Sequence, residues 1–202
     1  RMTTVEVIAL ITSGLFVGFI NTLAGGGTII SLTLLMLLGL PPSVANGTNR
    51  IAVFIQNLVA VSNFKKRKIL DTKKGFQLAI PTVIGSVVGA SIVVKLDEQI
   101  IQWCFGVIMI VMLFFLIYKP ERWLKGKEEL LNRPISPKMY VIMFLIGVYG
   151  GVIHVGVGYF LIMAAVLGVG FDLVKGNAMK NFLVLMYVPF TLFIFVLNGE
   201  VR

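Results

Sequence analysis

Residues 21–32, NTLAGGGTIISL, place three consecutive glycines inside a long apolar stretch of the chain. No charged residue occurs between positions 7 and 49, so both flanks are typical of membrane helices. Residues 7–40 would be about 50 Å long as one straight helix, but a bilayer core is about 30 Å thick. The chain must therefore break, and we expect the break at residues 24–27. The two pieces form either two short spans or a re-entrant pair.

The composition is that of a membrane protein. The chain has 202 residues, of which 57% are hydrophobic and 13% charged, and its mean hydropathy is +0.95. Soluble domains carry about 25% charged residues. The first apolar stretch is too long for a cleavable signal peptide. The single cysteine, Cys104, lies inside an apolar run and excludes a disulfide framework.

The positive charge is concentrated in two loops. The net charge is +9, with six basic residues in 65–74 and six in 119–138. Both segments connect apolar spans, which is the positive-inside pattern rather than a nucleic-acid surface. The spans 75–95 and 99–118 are joined by a tight turn, so both basic loops lie on one face, which we expect to be cytoplasmic. The protein is therefore predicted to be a multi-pass protein of a prokaryotic cytoplasmic membrane.

The chain contains an internal repeat. The segment GLFVGFINTLAGGG from Gly14 matches GVYGGVIHVGVGYF from Gly147, and GLPPSVANGTNR from Gly39 matches GVGFDLVKGNAM from Gly168. The first copy starts outside and the second inside, so the copies are related by an axis in the membrane plane, as in many secondary transporters. The predicted fold is an all-α polytopic bundle with inverted-topology repeats and broken or re-entrant helical hairpins.

These observations predict the following boundaries. The first repeat, 1–118, has a broken hairpin at 5–40 and spans at 44–64, 75–95 and 99–118, and a basic loop follows at 119–137. The second repeat, 138–202, has a broken hairpin at 138–171 and a span at 177–197. It lacks counterparts of 75–118, so we expect two C-terminal helices that this chain does not contain. The alternative is an asymmetric protein that never had these two helices.

The glycine-rich first hairpin, the Leu-Pro-Pro at 40–42 before Ala-Asn-Gly-Thr-Asn at 45–49, and the inverted second copy resemble the TauE/SafE sulfite-exporter-like family of bacterial and archaeal membrane transporters. The resemblance covers nearly the whole chain. It implies transport, and in particular export, of small sulfur-containing anions such as sulfite or organosulfonates. Where the family often has a longer glycine run in its second copy, this chain has Gly156-Val157-Gly158 followed by two aromatic residues.

The first break is suited to an anion. A helix that restarts near Gly26 presents unpaired N–H groups that carry partial positive charge, and glycines allow close approach. Close helix packing through small residues is the alternative, and we favour it for Gly14 and Gly18. The predicted substrate-binding residues here are Asn21, Gly25, Gly26, Gly27 and Thr28.

The second half of the predicted site combines the start of the next span with the second break, which we expect at residues 154–158. Asn46 or Thr48 could equally cap a helix, and Arg50 could snorkel to lipid head groups. Gln56, Asn57 and Lys180 are polar groups within apolar helices and are typical of a transport pathway. The remaining predicted substrate-binding residues are Asn46, Gly47, Thr48, Asn49, Arg50, His154, Gly156, Gly158, Asn177 and Asn181.

A secondary transporter working by alternating access is the function that these features favour. There is no nucleotide-binding motif, and we expect no cofactor, no metal site and no catalytic residue. The partners are a small anion and the lipid bilayer. An imidazole ordinarily titrates near neutral pH, so His154 would allow proton-linked transport. The alternatives are an anion channel, a transporter of an unrelated small organic anion, and an intramembrane enzyme, for which His154 has no HExxH motif or other recognisable partner.

Overall fold

The chain folds into a bundle of α-helices. The computed structural model describes residues 11, 12, 14–16, 18, 19, 27–118 and 125–201, and no strand occurs among them. The described residues between 11 and 19 are helical. The further elements are α1 (Thr28–Leu37), α2 (Pro42–Lys66), α3 (Thr72–Val93), α4 (Glu98–Tyr118), α5 (Glu128–Leu131), α6 (Pro137–Val152), α7 (Val157–Met163), a π-helical turn (Ala164–Gly168) and α8 (Leu173–Leu197).

Helix lengths and composition agree with an all-α membrane protein. Among the described helices, α3 and α8 are both long enough and apolar enough to cross a bilayer. The helix α2 is as long as α8, but it is much less apolar because it carries Arg50 and several carboxamide side chains. Shorter apolar helices, including α1, α6 and α7, complete the bundle.

The second predicted break is present. The helix α6 ends at Val152, and the chain is non-helical at residues 153–156 before α7 begins at Val157. Gly156 adopts the left-handed conformation, with φ +73°, which favours glycine. At the first predicted break, α1 begins at Thr28, where we expected a helix to restart, and Gly27 precedes it. Asn21, Gly25 and Gly26 lie outside the described residues.

Two helices approach closely through glycines. On Gly85 and Gly89 of α3, an added Cβ atom would lie within 2.1 Å of the backbone oxygens of Phe144 and Val148 in α6. The glycines of α6 also face backbone of α3. A Cβ atom added to Gly147 would lie 2.3 Å from the backbone oxygen of Thr82, and one added to Gly151 would lie 2.1 Å from that of Ser86. Small residues four apart on both helices allow this separation, as in many membrane helix pairs.

The close packing predicted for Gly14 and Gly18 is not observed. A Cβ atom on either residue would meet no atom within 4 Å, so the part of the chain that the structure describes leaves open space there. Their repeat counterparts Gly147 and Gly151 pack tightly because α3 carries matching glycines at the same spacing.

The structure corrects the register of the repeat. Gly39 and Gly170 have the same φ of +89° and occupy the same place, just before α2 and α8. The sequence alignment paired Gly39 with Gly168, two residues earlier. In the structural register Asn46 corresponds to Asn177, and Arg50 corresponds to Asn181. The division into two inverted repeats remains a prediction.

Polar contacts hold the helix ends. Asp71 and Asp172 precede α3 and α8, and each carboxylate accepts a hydrogen bond from the backbone N–H three residues later, at 3.0 and 2.8 Å. This is the usual N-cap arrangement. The side chain of Glu98, at the start of α4, accepts from the backbone N–H of Ser43 at 3.1 Å. It therefore caps α2 from a neighbouring helix.

Candidate functional site

Two long helices bring polar faces together at the second break. On α2, residues Asn46, Arg50, Val53 and Asn57 follow one another at intervals of four, three and four, so they lie along one helix face. On α8, the same intervals separate Lys180, Val184, Tyr187 and Thr191. All eight side chains are buried. Because such polar groups are costly within a membrane bundle, they usually face its interior.

The face of α2 caps the end of α6. The last carbonyl groups of a helix have no partner within that helix and carry partial negative charge. Arg50 donates to the oxygens of Gly150 and Gly151 at 3.1 and 2.8 Å, and Asn46 donates to Val152 at 2.9 Å. Together the two side chains satisfy three successive carbonyls at the break, and this arrangement joins α2 firmly to α6.

Arg50 is completely buried. Its guanidinium also donates to the hydroxyl of Thr191 at 2.8 Å and lies over the ring of Phe195, 4.6 Å from its centre. It forms no ion pair with any described residue, and its Nε atom has no hydrogen-bond partner among them. The charge is stabilised instead by carbonyl dipoles and an aromatic face. Snorkelling to lipid head groups, which the sequence left open, does not occur.

His154 lies within the break and is paired with Tyr187 of α8. The Tyr187 hydroxyl lies 2.7 Å from Nδ1 of the imidazole, and the two side chains are buried. The hydroxyl has no other acceptor among the described residues, so the arrangement that uses its proton has Tyr187 donating to Nδ1. A neutral imidazole would then carry its own proton on Nε2.

Side chains of α6 and α4 contact the remaining residues of the break. The hydroxyl of Tyr149 donates to the backbone oxygen of Val155 at 2.6 Å. Gly156 faces Met112, whose sulfur would lie 2.0 Å from an added Cβ atom. Irregular backbone at membrane depth is tolerated when it is buried in protein, and these contacts provide that burial.

A small polar pocket opens between the break, α2 and α8. Its volume is about 20 Å³, which is room for about one water molecule. No acidic residue occurs among the described residues that line it. The lining comprises Val53, Gln56 and Asn57 from α2, His154, Val157 and Gly158 from the break and α7, and Lys180, Asn181 and Val184 from α8.

Lys180 gives the pocket a positive charge. Its side chain is 3% exposed, and His154 and two carboxamide-bearing helices surround the same pocket. Gly158, at the start of α7, also lines the pocket. These residues make the pocket a candidate site for a small anion.

The structure brings together three of the residues predicted from sequence and separates others. His154, Gly158 and Asn181 line the pocket. Asn46 and Arg50 hold the end of α6 instead. The described residues that do not line it are Gly27, Thr28, Gly47, Thr48, Asn49, Gly156 and Asn177.

Two of these residues have a clear structural role. An added Cβ atom on Gly47 would collide with the backbone oxygen of Glu200, so this glycine allows the end of α8 to approach α2. Asn177 accepts a hydrogen bond from Asn181 through its backbone oxygen at 2.8 Å. Thr28 begins α1 and is buried outside the pocket.

Sequence reasoning noticed Gln56, Asn57 and Lys180 as polar groups but did not place them in the site. It did not identify Tyr187 or Thr191 at all. The available signal was the helical interval, because Tyr187 and Thr191 are seven and eleven residues after Lys180 and hence on its face. No group of His, Cys, Asp or Glu that could hold a metal ion occurs among the described residues.

Comparison with known proteins places the chain in a family. It is 26% identical over 176 residues to the probable membrane transporter protein ORF9 of Sinorhizobium sp., covering 86% of this chain and 66% of that protein. It is 24% identical to a probable membrane transporter protein of Haemophilus influenzae, over 93% of this chain and 73% of the relative. It is 26% identical to the probable membrane transporter protein YfcA of Escherichia coli, over 91% and 68%.

The matches thus span about two thirds of the relatives' length. No solved structure matches the chain. The family described as "Sulfite exporter TauE/SafE" matches residues 10–202. With its all-α membrane fold and a family match over nearly the whole sequence, this chain belongs to the TauE/SafE family of membrane transporters.

Proposed function

We propose that the protein is a secondary transporter that exports small sulfur-containing anions, such as sulfite or organosulfonates, by alternating access. The observation that carries the proposal is the pocket at the broken helix, where buried Lys180 stands among His154 and carboxamide side chains and no described acidic residue lines the wall. The family description supports sulfur oxyanions as the substrate class.

The chemistry of the lining suits an oxyanion. Attraction between an ammonium group and an anion is much stronger in a dry interior than in water. Carboxamide and imidazole N–H groups add directional hydrogen bonds to oxygen atoms, and bonds to charged acceptors are stronger than those to neutral ones. Among the lining residues, His154 can supply such a group through Nε2, because Nδ1 faces the Tyr187 hydroxyl.

A conformational change is part of the proposal. A pocket of about 20 Å³ is too small for an oxyanion, so α2, α7 and α8 must separate for the ligand to enter. Broken helices at a repeat interface are the usual site of such gating in transporters. We place the basic loops 65–74 and 119–138 on the cytoplasmic side of a prokaryotic plasma membrane, as the positive-inside rule requires.

The test is anion flux in liposomes that contain the purified protein. Sulfite, methanesulfonate and a simple carboxylate are supplied in turn, and Lys180→Met is compared with the wild type. We expect the substitution to reduce sulfite flux at least about tenfold, because it removes the charge while keeping the chain length. Lys175→Met is the matched control, since Lys175 is an exposed lysine on the same helix, and it should transport normally.

The liposome assay and a current measurement separate the alternatives. Flux of carboxylates but not of sulfur oxyanions would indicate an unrelated organic anion as substrate. Ohmic current across a planar bilayer would indicate a channel. If Lys180→Met transports as well as the wild type, the pocket is not the anion site.

Coupling to protons or another ion is also part of the proposal. Imposed proton and sodium gradients across the liposomes identify the ion that drives flux. His154 is the candidate proton carrier, and its titratable neighbours are Arg50 of α2 and Lys180 and Tyr187 of α8. Tyr149 of α6 lies near Tyr187. Unchanged pH dependence in His154→Gln would exclude His154 from that role.

A further inference from the structure

Five cations cluster where α2 ends and α3 begins. Lys65 and Lys66 lie in the last turn of α2. Arg67 and Lys68 follow in the connecting turn, and Lys73 lies in the first turn of α3. All five side chains are exposed, and none forms a hydrogen bond or an ion pair with the residues that the structure describes. Together these five residues form the basic turn, whose charge is available to a partner outside the chain.

The two other charged residues of this stretch are already engaged. Asp71 is the only acidic residue between positions 65 and 74, and its carboxylate accepts a hydrogen bond from the backbone N–H of Lys74. The Nζ atom of Lys74 donates to the backbone oxygen of Leu131 at 2.6 Å and lies 5.6 Å from the centre of the Phe171 ring. The basic turn therefore stays unpaired within its own stretch of the chain.

The backbone of Lys68 is unusual in this chain. Its φ is +56°, and it is the only non-glycine residue with a positive φ among those that the structure describes. The N–H groups of Lys68 and Ile69 bond to oxygens three and five residues earlier, at 3.0 and 3.1 Å, which is the Schellman end of a helix. The same pair of bonds follows α1 and α8, where Gly39 and Gly199 hold the left-handed position.

A lysine at this position lowers stability. A residue with a Cβ atom is disfavoured in the left-handed conformation, which glycine adopts without that cost. The side chain of Lys68 makes no hydrogen bond or ion pair with the described residues that would compensate. What lysine adds to the turn is an exposed charge, and backbone strain of this kind is often found at functional positions.

The basic turn lies at the edge of the apolar surface. On α3, the exposed residues Phe76 and Ile80 follow Lys73 at intervals of three and four, so all three share one helix face. On α2, Leu58 and Val59 are exposed about two turns before its end. In a bilayer these apolar side chains face hydrocarbon, and long basic side chains beyond them extend to the head groups.

We propose that the basic turn binds anionic phospholipids of the surrounding bilayer. The five cations hold the head-group phosphates, and an acyl chain lies along the exposed apolar face of α3. Clusters of Lys and Arg directly beside a membrane span recognise anionic lipids in this way, and each cation adds to the affinity. The proposal concerns a second site and does not depend on which anion the protein transports.

A soluble polyanion such as RNA is the competing partner. The apolar faces of α2 and α3 hold the basic turn at the depth of the head groups. Lipid phosphates are therefore within reach at a high local concentration, whereas a soluble anion must arrive from bulk water. The position of the cluster thus favours lipid.

The test measures lipid binding by the full chain. The purified protein in neutral detergent micelles is titrated with phosphatidylglycerol, phosphatidylcholine or inorganic phosphate, and bound molecules are counted by native mass spectrometry. We expect phosphatidylglycerol to bind at least about tenfold more tightly than phosphatidylcholine. Lys68→Gln should weaken phosphatidylglycerol binding about fivefold and leave phosphatidylcholine unchanged. Lys95→Gln, which removes an isolated exposed lysine just after α3, is the matched control and should bind as the wild type does.

Lys68→Gly separates lipid binding from folding. Glycine removes the backbone strain, so the midpoint of thermal unfolding in neutral micelles should rise by about 2–4 °C. Phosphatidylglycerol affinity should nevertheless fall about fivefold, because the charge is lost. Lys68→Gln loses the same affinity without the rise in midpoint, since it keeps the left-handed side chain.

The possible results are distinct. Equal affinity of the wild type for the two lipids overturns the proposal without any variant. Displacement of phosphatidylglycerol by an equal concentration of inorganic phosphate, or binding of RNA in preference to lipid, also overturns it, because the partner would then be soluble. Equal losses in Lys68→Gln and Lys95→Gln would show that the lipid responds to net charge and not to this turn. Anion flux is measured separately, so the proposed function stands or fails independently.

Discussion

Arg50 and Lys180 are two cations buried at one broken helix, and their surroundings differ. Arg50 is satisfied by two carbonyl oxygens, a hydroxyl and an aromatic ring. Lys180 lines a pocket. The planar guanidinium can reach two adjacent carbonyls at once, whereas a lysine acts as a compact point charge. The geometry therefore gives Arg50 a structural role, whereas the role of Lys180 towards a ligand is the one that we propose.

Replacing Arg50 should strongly destabilise the fold. Arg50→Met leaves two buried carbonyls and the Thr191 hydroxyl without this donor, and we expect a loss of about 3 kcal/mol in the free energy of unfolding. Denaturant unfolding in lipid micelles measures it. Arg67→Met, which removes an exposed arginine just after α2, should change stability by less than about 0.5 kcal/mol.

If Arg50→Met does not fold, Arg50→Lys provides the comparison. Lysine keeps the charge but not the planar fork, so it should recover only part of the stability. Wild-type stability in either variant would show that the caps on Gly150 and Gly151 are not needed.

At the scale of elements, the separation of α3 and α6 is set by four glycines. Each brings a backbone oxygen of the facing helix too close for any side chain. Backbones at this separation gain extensive van der Waals contact, which drives helix association in lipid. The end of α6, capped by α2, is therefore also held firmly against α3.

Adding one methyl group at this contact should separate the helices. In Gly151→Ala the Cβ atom would lie 2.1 Å from the backbone oxygen of Ser86, and overpacking against backbone costs at least about 2 kcal/mol. Gly106→Ala on α4 is the control, because its Cβ meets nothing within 4 Å. Unfolding of both variants in micelles gives the difference. Equal stability of the two variants would mean that α3 and α6 can move apart without loss of stability.

For the whole molecule, the proposed membrane orientation rests on the charges at the helix ends. The turn between α3 and α4 contains exposed Asp97, and the first turn of α3 contains exposed Lys73. Because one span separates them, the proposed topology has them on opposite sides of the membrane, with Lys73 in the cytoplasm as the positive-inside rule predicts.

Cysteine labelling in intact cells checks this orientation. In a Cys104→Ser background, which removes the native thiol, a membrane-impermeant maleimide should label Asp97→Cys directly. It should label Lys73→Cys only after permeabilisation. The reverse pattern would invert the proposed topology.

Glycine patterns illustrate how far sequence reasoning extends. The pair Gly14 and Gly18 has the same spacing as Gly147 and Gly151, and sequence alone predicted packing for the first pair. Among the described residues only the second pair packs closely against another helix, because α3 carries glycines with the same four-residue spacing along the contact. Contact depends on the partner helix, which spacing within one segment does not reveal.

The sequence by itself determined the membrane class, the family, and the existence and approximate position of the second break. These depend on local quantities, since bilayer thickness limits helix length and glycines mark where helices end. Only the tertiary structure decided which polar groups meet. Lys180, Asn57 and His154 come from three separate segments, and their meeting depends on the rotation of each helix about its axis. That rotation is set by packing between helices, for example by the contact of Gly151 in α6 with α3 and the hydrogen bonds from Arg50 in α2 to α6.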